Sequence, residues 1–248
     1  MATIISRRLR SLTAAIALLA GGQAASAQAP AVSISPEGGD VELGYIKLVL
    51  LLASVSLAPA LVAVVTSFAR IIVVLFFLRA GLGAQEIPPS YVLVGLAILL
   101  TLIAMGPTLS VINQEALSPL LAGDKELGEA ATAAEEPMRE FMSAQVRPED
   151  LELMVGLSLR DGEPAPEQTP LSALAAAFVI SELRMAFLVG FIIYLPFVVI
   201  DIVVGSTLAS VGMLTLPALL LSLPFKILMF VMVDGWRLLT EALMTTIN

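Results

Sequence analysis

The sequence predicts an all-α, multi-span membrane protein, built of kinked and broken helical hairpins, that assembles as an oligomer. Hydrophobic residues make up 58% of its 248 residues and charged residues only 14%, which is more apolar than an ordinary soluble domain. Four hydrophobic segments stand out, and prolines or charges interrupt most of them. Cys and His are both absent, which excludes disulfides, thiolate nucleophiles and Cys/His zinc sites. We therefore predict no catalytic residue, no metal site and no cofactor.

Residues 1–27 have the three-part pattern of a secretory signal peptide. Three arginines precede a short apolar run, and the small residues 25–27 precede the expected cleavage site before Gln28. An uncleaved anchor is the alternative, but an apolar core of about 12 residues is short for a span of roughly 20. Cleavage would leave the mature N terminus outside the cytoplasm, followed by a flexible lead over residues 28–42.

Residues 43–112 are predicted to form a first helical hairpin region. Its first apolar run, residues 46–78, would extend about 50 Å as one straight helix, well beyond a hydrocarbon core of roughly 30 Å. Pro59 is the expected position of a kink. The second run, residues 91–112, has spanning length, and a turn rich in Gly and Pro joins the two.

Residues 113–170 form an acidic region between the hairpins. Extended to residue 177, this stretch holds 13 acidic and 4 basic residues. The remaining chain is close to neutral, so no basic surface for nucleic acid is predicted. Residues 136–157 have the spacing of one or two short amphipathic helices, with Phe141 and Met154 on a possible packing face.

The acidic region is predicted to lie outside the cytoplasm, on the periplasmic side. Arg70 and Arg79 of the first hairpin region favour the cytoplasm under the positive-inside rule. An exported N terminus predicts the same orientation independently.

Residues 171–248 are predicted to form a second helical hairpin region. Two apolar runs, residues 171–204 and 208–233, are separated by Gly205-Ser206-Thr207, and charges and prolines interrupt both. Such segments fit poorly as isolated spans in lipid, so we expect broken helices packed in an oligomer. The predicted helix breakers of the whole chain are Pro59, Pro196, Pro217 and Pro224.

Four embedded charges require partners, because an ionisable side chain at bilayer depth costs about 2.5–3.5 kcal/mol on insertion scales. Glu182 and Lys226 have opposite signs and are predicted to pair between helices or between subunits. The alternative is that each lies near a helix end and extends to water. Arg184 cannot face the same neighbour as Glu182, two residues away. Asp201 could meet unwound backbone, a subunit contact or a watery passage.

Two further local features carry predictions. Asp234 and Arg237 are three residues apart and are expected to form a local pair. Gly212, Met213 and Leu214 form an apolar, flexible tip, which could act as a gate by sealing around a variable substrate.

Several ordered motifs make the chain resemble the FliP/SctR family, the core of flagellar and injectisome type III export gates. The likeness runs from about Leu43 to the C terminus. It rests on TSFARIIVVL at 66–75, PMREFM at 137–142, FVISELRMAF at 178–187, LPF at 195–197, LPFK at 223–226 and VDGW at 233–236. The signal peptide favours the flagellar branch, with an SctR-type injectisome subunit as the alternative.

The resemblance implies a core subunit of the flagellar protein export gate rather than an enzyme. It implies a homo-oligomer, a pentamer, assembled with FliQ and FliR into a closed entry portal. Unfolded rod, hook and filament proteins would pass through this portal, and FlhA, FlhB and the basal-body ring would be neighbours. The implied location is the inner membrane at the flagellar basal body, with helices lying largely above the bilayer plane in the assembled gate.

Two other classes of protein are alternatives. A small-solute transporter also uses broken helices and embedded charges, but it predicts an inverted repeat, which the sequence does not display. An intramembrane aspartyl protease would require Asp201 and Asp234 to share a proton as a dyad.

Overall fold

The computed structural model describes residues 45, 48–49, 52–53, 56–57, 62–83, 87–159, 168–213 and 217–247. The predicted signal peptide, the lead over residues 28–42, Pro59 and Leu214 lie outside the described residues. Among the first 50 residues, the described Tyr45, Leu48 and Val49 are helical. The part from Leu51 onwards is a separate compact unit, and the helices below belong to it. Every bounded element among the described residues is helical, which confirms the all-α prediction.

The first hairpin consists of α1, Phe68–Leu82, and α2, Ser90–Ala104. Residues 62–64 are helical, but residues 65–67 form a bend and a turn before α1 begins. The long apolar run is therefore interrupted there. One stripe of α1 is buried at helical spacing, and it consists of Arg70, Ile71, Val74, Leu75, Leu78, Gly81 and Leu82. The helix ends where Gly83 adopts φ 74°, a left-handed conformation that favours glycine.

The second apolar run is bent in the middle. After Met105 the chain continues as α3, Gly106–Ile112, with Pro107 in its first turn. A π-helical turn, Asn113–Leu117, and α4, Ser118–Ala122, complete this arm, which is bent by 68° from α2. Proline is well tolerated in a first helical turn, so it permits a new helix to start at the bend.

The acidic region contains two helices, α5, Leu127–Gln145, and α6, Pro148–Ser158. Glu126 and Glu129 form a reciprocal capping box that starts α5. Met142 and Phe141 of α5 pack against α7, and the Phe141 and Phe178 rings have centroids 5.7 Å apart. Met154 on α6 is half-buried.

The helix α7, Leu171–Ser210, has 40 residues, which corresponds to about 60 Å. It runs through Pro196 and Gly205 without a break. The predicted separation of two runs at residues 205–207 is therefore wrong, and so is the prediction that Pro196 breaks the helix. A proline removes one helical hydrogen bond, which neighbouring packing can offset. The helix ends at Val211, and the chain turns at Gly212 with φ 80°.

Two helices complete the chain: α8, Ala218–Met232, and α9, Gly235–Ile247, bent by 65° from each other. Pro217 caps the N terminus of α8, whereas Pro224 lies inside it. The prediction that Pro224 breaks the helix is therefore also wrong. The bend falls instead at Asp234, which has a positive φ of 53°, an uncommon conformation for a residue other than glycine.

Among the described residues, α7 is the one helix both long and apolar enough to cross a membrane. The total rises to three if α2 with its bent arm, and α8 with α9, are each counted as one span. The structure is consistent with a membrane protein.

The core depends on close contact between α1 and α7, which two glycines permit. A Cβ atom built on Gly190 of α7 would lie 2.5 Å from Cδ2 of Phe77, and one built on Gly81 of α1 would lie 2.5 Å from Cδ2 of Phe197. Each helix thus places a phenylalanine ring against a glycine of the other. Any larger side chain would force the rings or the helices apart.

We expect Gly190→Ala to lower the free energy of unfolding by about 1–3 kcal/mol, because the added methyl group overpacks a tight contact. The measurement is the apparent Tm of the protein in detergent. Gly95→Ala is the matched control, since nothing lies within 4 Å of a Cβ atom at Gly95 in α2. That control should gain roughly 0.5–1 kcal/mol from higher helix propensity. Equal Tm values for the two variants would contradict the tight contact.

Candidate functional site

Arg70 lies at the centre of a buried polar cluster, although it belongs to an apolar helix. Its relative exposure is 1%, and so is that of Glu182. Arg70 Nε donates to Glu182 Oε2 at 2.9 Å, and Arg70 Nη2 donates to Glu182 Oε1. This two-pronged geometry gives an arginine–carboxylate pair its strength. It links α1 to α7 across 112 residues of sequence.

The same cluster holds the C-terminal end of α9. Arg70 Nη1 donates to the carbonyl oxygen of Thr246, and Gln145 Nε2 donates to that of Ile247. Arg70 Nη2 also lies 3.1 Å from Gln145 Oε1. The last carbonyl groups of a helix lack partners within it, so Arg70 and Gln145 satisfy them. We call Arg70, Gln145, Glu182 and these two carbonyl groups the Arg70 cluster; it joins α1, α5, α7 and α9.

A second cluster lies further along α7. Lys226 of α8 is 1% exposed, and its Nζ donates to Asp201 Oδ2 at 2.7 Å. Ser222 Oγ donates to Asp201 Oδ1, while the Asp201 side chain keeps 31% of its surface exposed. We call Asp201, Ser222 and Lys226 the Lys226 cluster; it fixes α8 against α7.

Both buried cations lie at the C-terminal end of another helix. Arg70 contacts the last carbonyl groups of α9. A Cβ atom built on Gly83, which follows α1, would lie 3.3 Å from Lys226 Nζ, so this ammonium group lies at the end of α1. Helix C termini carry partial negative charge, which favours a cation there. Each cation is thus stabilised by a carboxylate and by a helix end.

The predicted ion pair between Glu182 and Lys226 is not formed within one chain. Glu182 binds Arg70, and Lys226 binds Asp201. Because α7 is continuous, Glu182 and Asp201 are separated by 19 residues of helix, or about 28 Å. A lysine held at Asp201 cannot reach Glu182. The prediction of this pair between helices of one chain is wrong, because opposite charge alone does not distinguish Lys226 from Arg70 as the partner of Glu182.

Three other charged residues had predicted surroundings. The structure agrees with the prediction for Arg184 and differs from it for Arg237 and Arg70. Arg184 is exposed, whereas Glu182 is buried, as their two-residue spacing predicted. Arg237 Nε binds Glu241 Oε1 at 2.8 Å instead of Asp234, because Asp234 leaves the helical conformation. Arg70 was expected to mark the cytoplasmic side, but it is buried in an ion pair. Arg70 therefore does not indicate how the chain is oriented across the membrane. Arg79 donates a hydrogen bond to Ser90 at the hairpin turn.

The structure describes two residues of the predicted tip, and it also describes the surroundings of Asp201. Gly212 and Met213 are both exposed at the end of α7, with Gly212 forming the turn. Within the described ranges, Asp201 accepts hydrogen bonds from the ammonium group of Lys226 and from the hydroxyl group of Ser222. An aspartyl dyad requires a second carboxylate in that position.

Sequence reasoning missed three members of these clusters: Arg70, Gln145 and Ser222. Arg70 stands in an apolar run, and that signal alone marks it as a charge that needs a buried partner. Gln145 and Ser222 carry no comparable signal, because their partners come from distant segments. The clusters hold helices in register through paired charges and satisfied carbonyl groups. Both clusters therefore stabilise the packing of the helices.

The chain is similar in sequence to flagellar proteins of several bacteria. The FliP family model matches residues 51–243. The flagellar biosynthetic protein FliP of Bacillus subtilis strain 168 is 48% identical over 199 residues, 80% of this chain and 90% of that protein. The FliP of Caulobacter vibrioides is 45% identical over 234 residues, covering 94% and 88%. That of Pectobacterium carotovorum is 40% identical over 231 residues, covering 92% and 90%. The chain therefore belongs to the FliP family.

Proposed function

We propose that this chain is a core subunit of the flagellar type III protein export gate, at the entry portal for unfolded flagellar proteins. The observation that carries this proposal is the 45% identity with a flagellar biosynthetic protein over 94% of the chain. All three relatives described above bear the flagellar name. The chain acts as conduit and gate, and its buried charges hold helices rather than perform chemistry.

The gate is an assembly of five copies of the chain together with FliQ and FliR. Large apolar side chains of α2, α7 and α8 support this, because many of them are exposed on the single chain. They include Tyr91, Ile103, Leu188, Val203, Leu220 and Met232. Such surfaces must be covered by lipid or by other subunits. FlhA, FlhB, the basal-body ring and the export substrates are further partners within the apparatus.

The assembly lies at the inner membrane, with the acidic helices α5 and α6 on the periplasmic side. The apolar helix α7 supports a membrane location. The periplasmic placement follows from the predicted signal peptide and from the position of Arg79.

The test is an in-frame deletion in the source bacterium, scored for hook and filament proteins in the medium and for swimming. We expect export and swimming to be lost together and to return with the intact gene. Intact swimming with loss of a different secreted set would favour the injectisome alternative. If the deletion caused no secretion defect of any kind, the proposal would be contradicted and the transporter alternative would be favoured.

A further inference from the structure

The first apolar run is interrupted immediately before α1. Residues 62–64 are helical, residues 65–67 form a bend and a turn, and α1 begins at Phe68. The break consists of Val65, Thr66 and Ser67, so it contains neither proline nor glycine, the usual helix breakers. Since a helical backbone accepts all three residues, specific contacts must stabilise the interruption.

Two contacts stabilise the bent backbone. Thr66 Oγ1 accepts a hydrogen bond from the backbone N–H group of Phe68 at 3.4 Å. In a continuous helix that N–H group would instead donate to the carbonyl group of residue 64. The Val65 side chain packs against a core cluster that contains Phe178 of α7 and Met142 of α5. The acidic helix α5 therefore takes part in holding the bend.

The next hydroxyl group along the chain, that of Ser67, is not used. Ser67 is 1% exposed, and its Oγ forms no hydrogen bond with any described residue. It is the N-cap residue of α1, yet it does not cap the helix. Its φ of −63° and ψ of −5° are close to helical values, whereas a capping serine has an extended backbone. A buried hydroxyl group without a partner is costly.

A helix that continued through the break would give this hydroxyl group a partner. Hydroxyl groups elsewhere in the chain donate to the carbonyl group four residues earlier, as Thr101 does to Ala97 and Thr207 does to Val203. In a continuous helix, Ser67 would donate in the same way to residue 63. The first N–H groups of α1, which lack partners within that helix, would also gain helical hydrogen bonds.

We propose that residues 65–67 are a hinge between this bent form and a straight form, in which one helix runs from residue 62 to Leu82. The packing of Val65 and the hydroxyl group of Thr66 favour the bent form. The hydroxyl group of Ser67 and the added backbone hydrogen bonds favour the straight form. Because each set consists of a few weak contacts, the straight form is a populated minor state. The hinge is a property of the fold and does not depend on the proposed export function.

The hinge also connects the apolar run to the acidic region. Val65 contacts the cluster to which Met142 of α5 belongs. A movement of α5 away from this cluster would remove the contact that favours the bend. The direction of the run before α1 is therefore set by the packing of α5.

The test uses two histidines four residues apart, which chelate a metal ion from one face of a helix. The chain has no histidine of its own, so introduced pairs in full-length protein purified without a histidine tag are the sole imidazole groups. The hinge pair, Val64→His/Phe68→His, spans the break. The control pair, Phe76→His/Ala80→His, occupies exposed positions within α1. In a Ni²⁺ titration in detergent, the hinge pair should bind more weakly than the control pair, by the fraction of straight form.

Two further substitutions should shift the hinge in opposite directions. Val65→Ala removes packing from the bent form, so the hinge pair should bind Ni²⁺ about tenfold more tightly. Ser67→Ala removes the hydroxyl group that favours the straight form, so the hinge pair should bind about fivefold more weakly. The control pair should keep its affinity in both backgrounds, which excludes general misfolding as the cause.

Three results would overturn the proposal. If the hinge pair bound Ni²⁺ as tightly as the control pair, the break would not exist in solution. If Val65→Ala did not tighten binding, the bend would be permanent or held by other contacts. If Ser67→Ala left the affinity unchanged, the Ser67 hydroxyl group would be satisfied in another way, such as by a buried water molecule.

Discussion

Glu182→Ala should lower the free energy of unfolding by about 3–5 kcal/mol, because it leaves one charge of a buried pair without its partner. Arg70 is buried at 1% exposure, so water cannot replace the lost carboxylate as its partner. The apparent Tm in detergent should fall by about 6–20 °C for a chain of this length. Export of hook and filament proteins should be lost with it, since four helices meet at this pair.

The matched control is the exposed pair on α9. Glu241→Ala removes the partner of Arg237. The side chains of Glu241 and Arg237 are 58% and 72% exposed, so the apparent Tm should stay close to that of the wild type. The double variant Arg70→Met/Glu182→Leu should recover most of the lost stability, because an apolar pair removes both buried charges. If Glu182→Ala proved as harmless as Glu241→Ala, the Arg70 cluster would not be a main support of the fold.

Features determined by neighbouring residues could be predicted from the sequence. The one or two short helices predicted within residues 136–157 follow from local spacing. The helices α5 and α6 occupy that stretch, although α5 begins earlier, at Leu127. Gly212 marks a turn because glycine adopts positive φ at little cost. The opposite environments of Glu182 and Arg184 follow from the helical repeat alone.

Features determined by distant residues could not be predicted. Pro196 and Pro224 each remove one helical hydrogen bond, yet α7 and α8 continue through them. The partner of Glu182 lies 112 residues away. The prediction instead paired Glu182 with Lys226, an opposite charge in another apolar segment, which binds Asp201.

The Lys226 cluster leads to an asymmetric expectation. Asp201→Asn should cost about 3–5 kcal/mol, because it removes the carboxylate partner of a buried ammonium group. Lys226→Met should cost only about 1 kcal/mol: the methionine fills the same apolar space, and the remaining carboxylate keeps Ser222 and water as partners. The difference arises from exposure, since Lys226 is 1% exposed whereas the Asp201 side chain is 31% exposed.

The double variant Asp201→Asn/Lys226→Met tests the physical cause of that asymmetry. If the cost of Asp201→Asn comes from the stranded ammonium group, removing Lys226 as well should restore stability to about the level of Lys226→Met alone. The two changes would then be strongly non-additive, as expected for residues in direct contact. Apparent Tm values of the three variants and the wild type, measured in one detergent, form the complete cycle. Additive costs, or a larger loss for Lys226→Met than for Asp201→Asn, would mean that Asp201 does not stabilise the lysine.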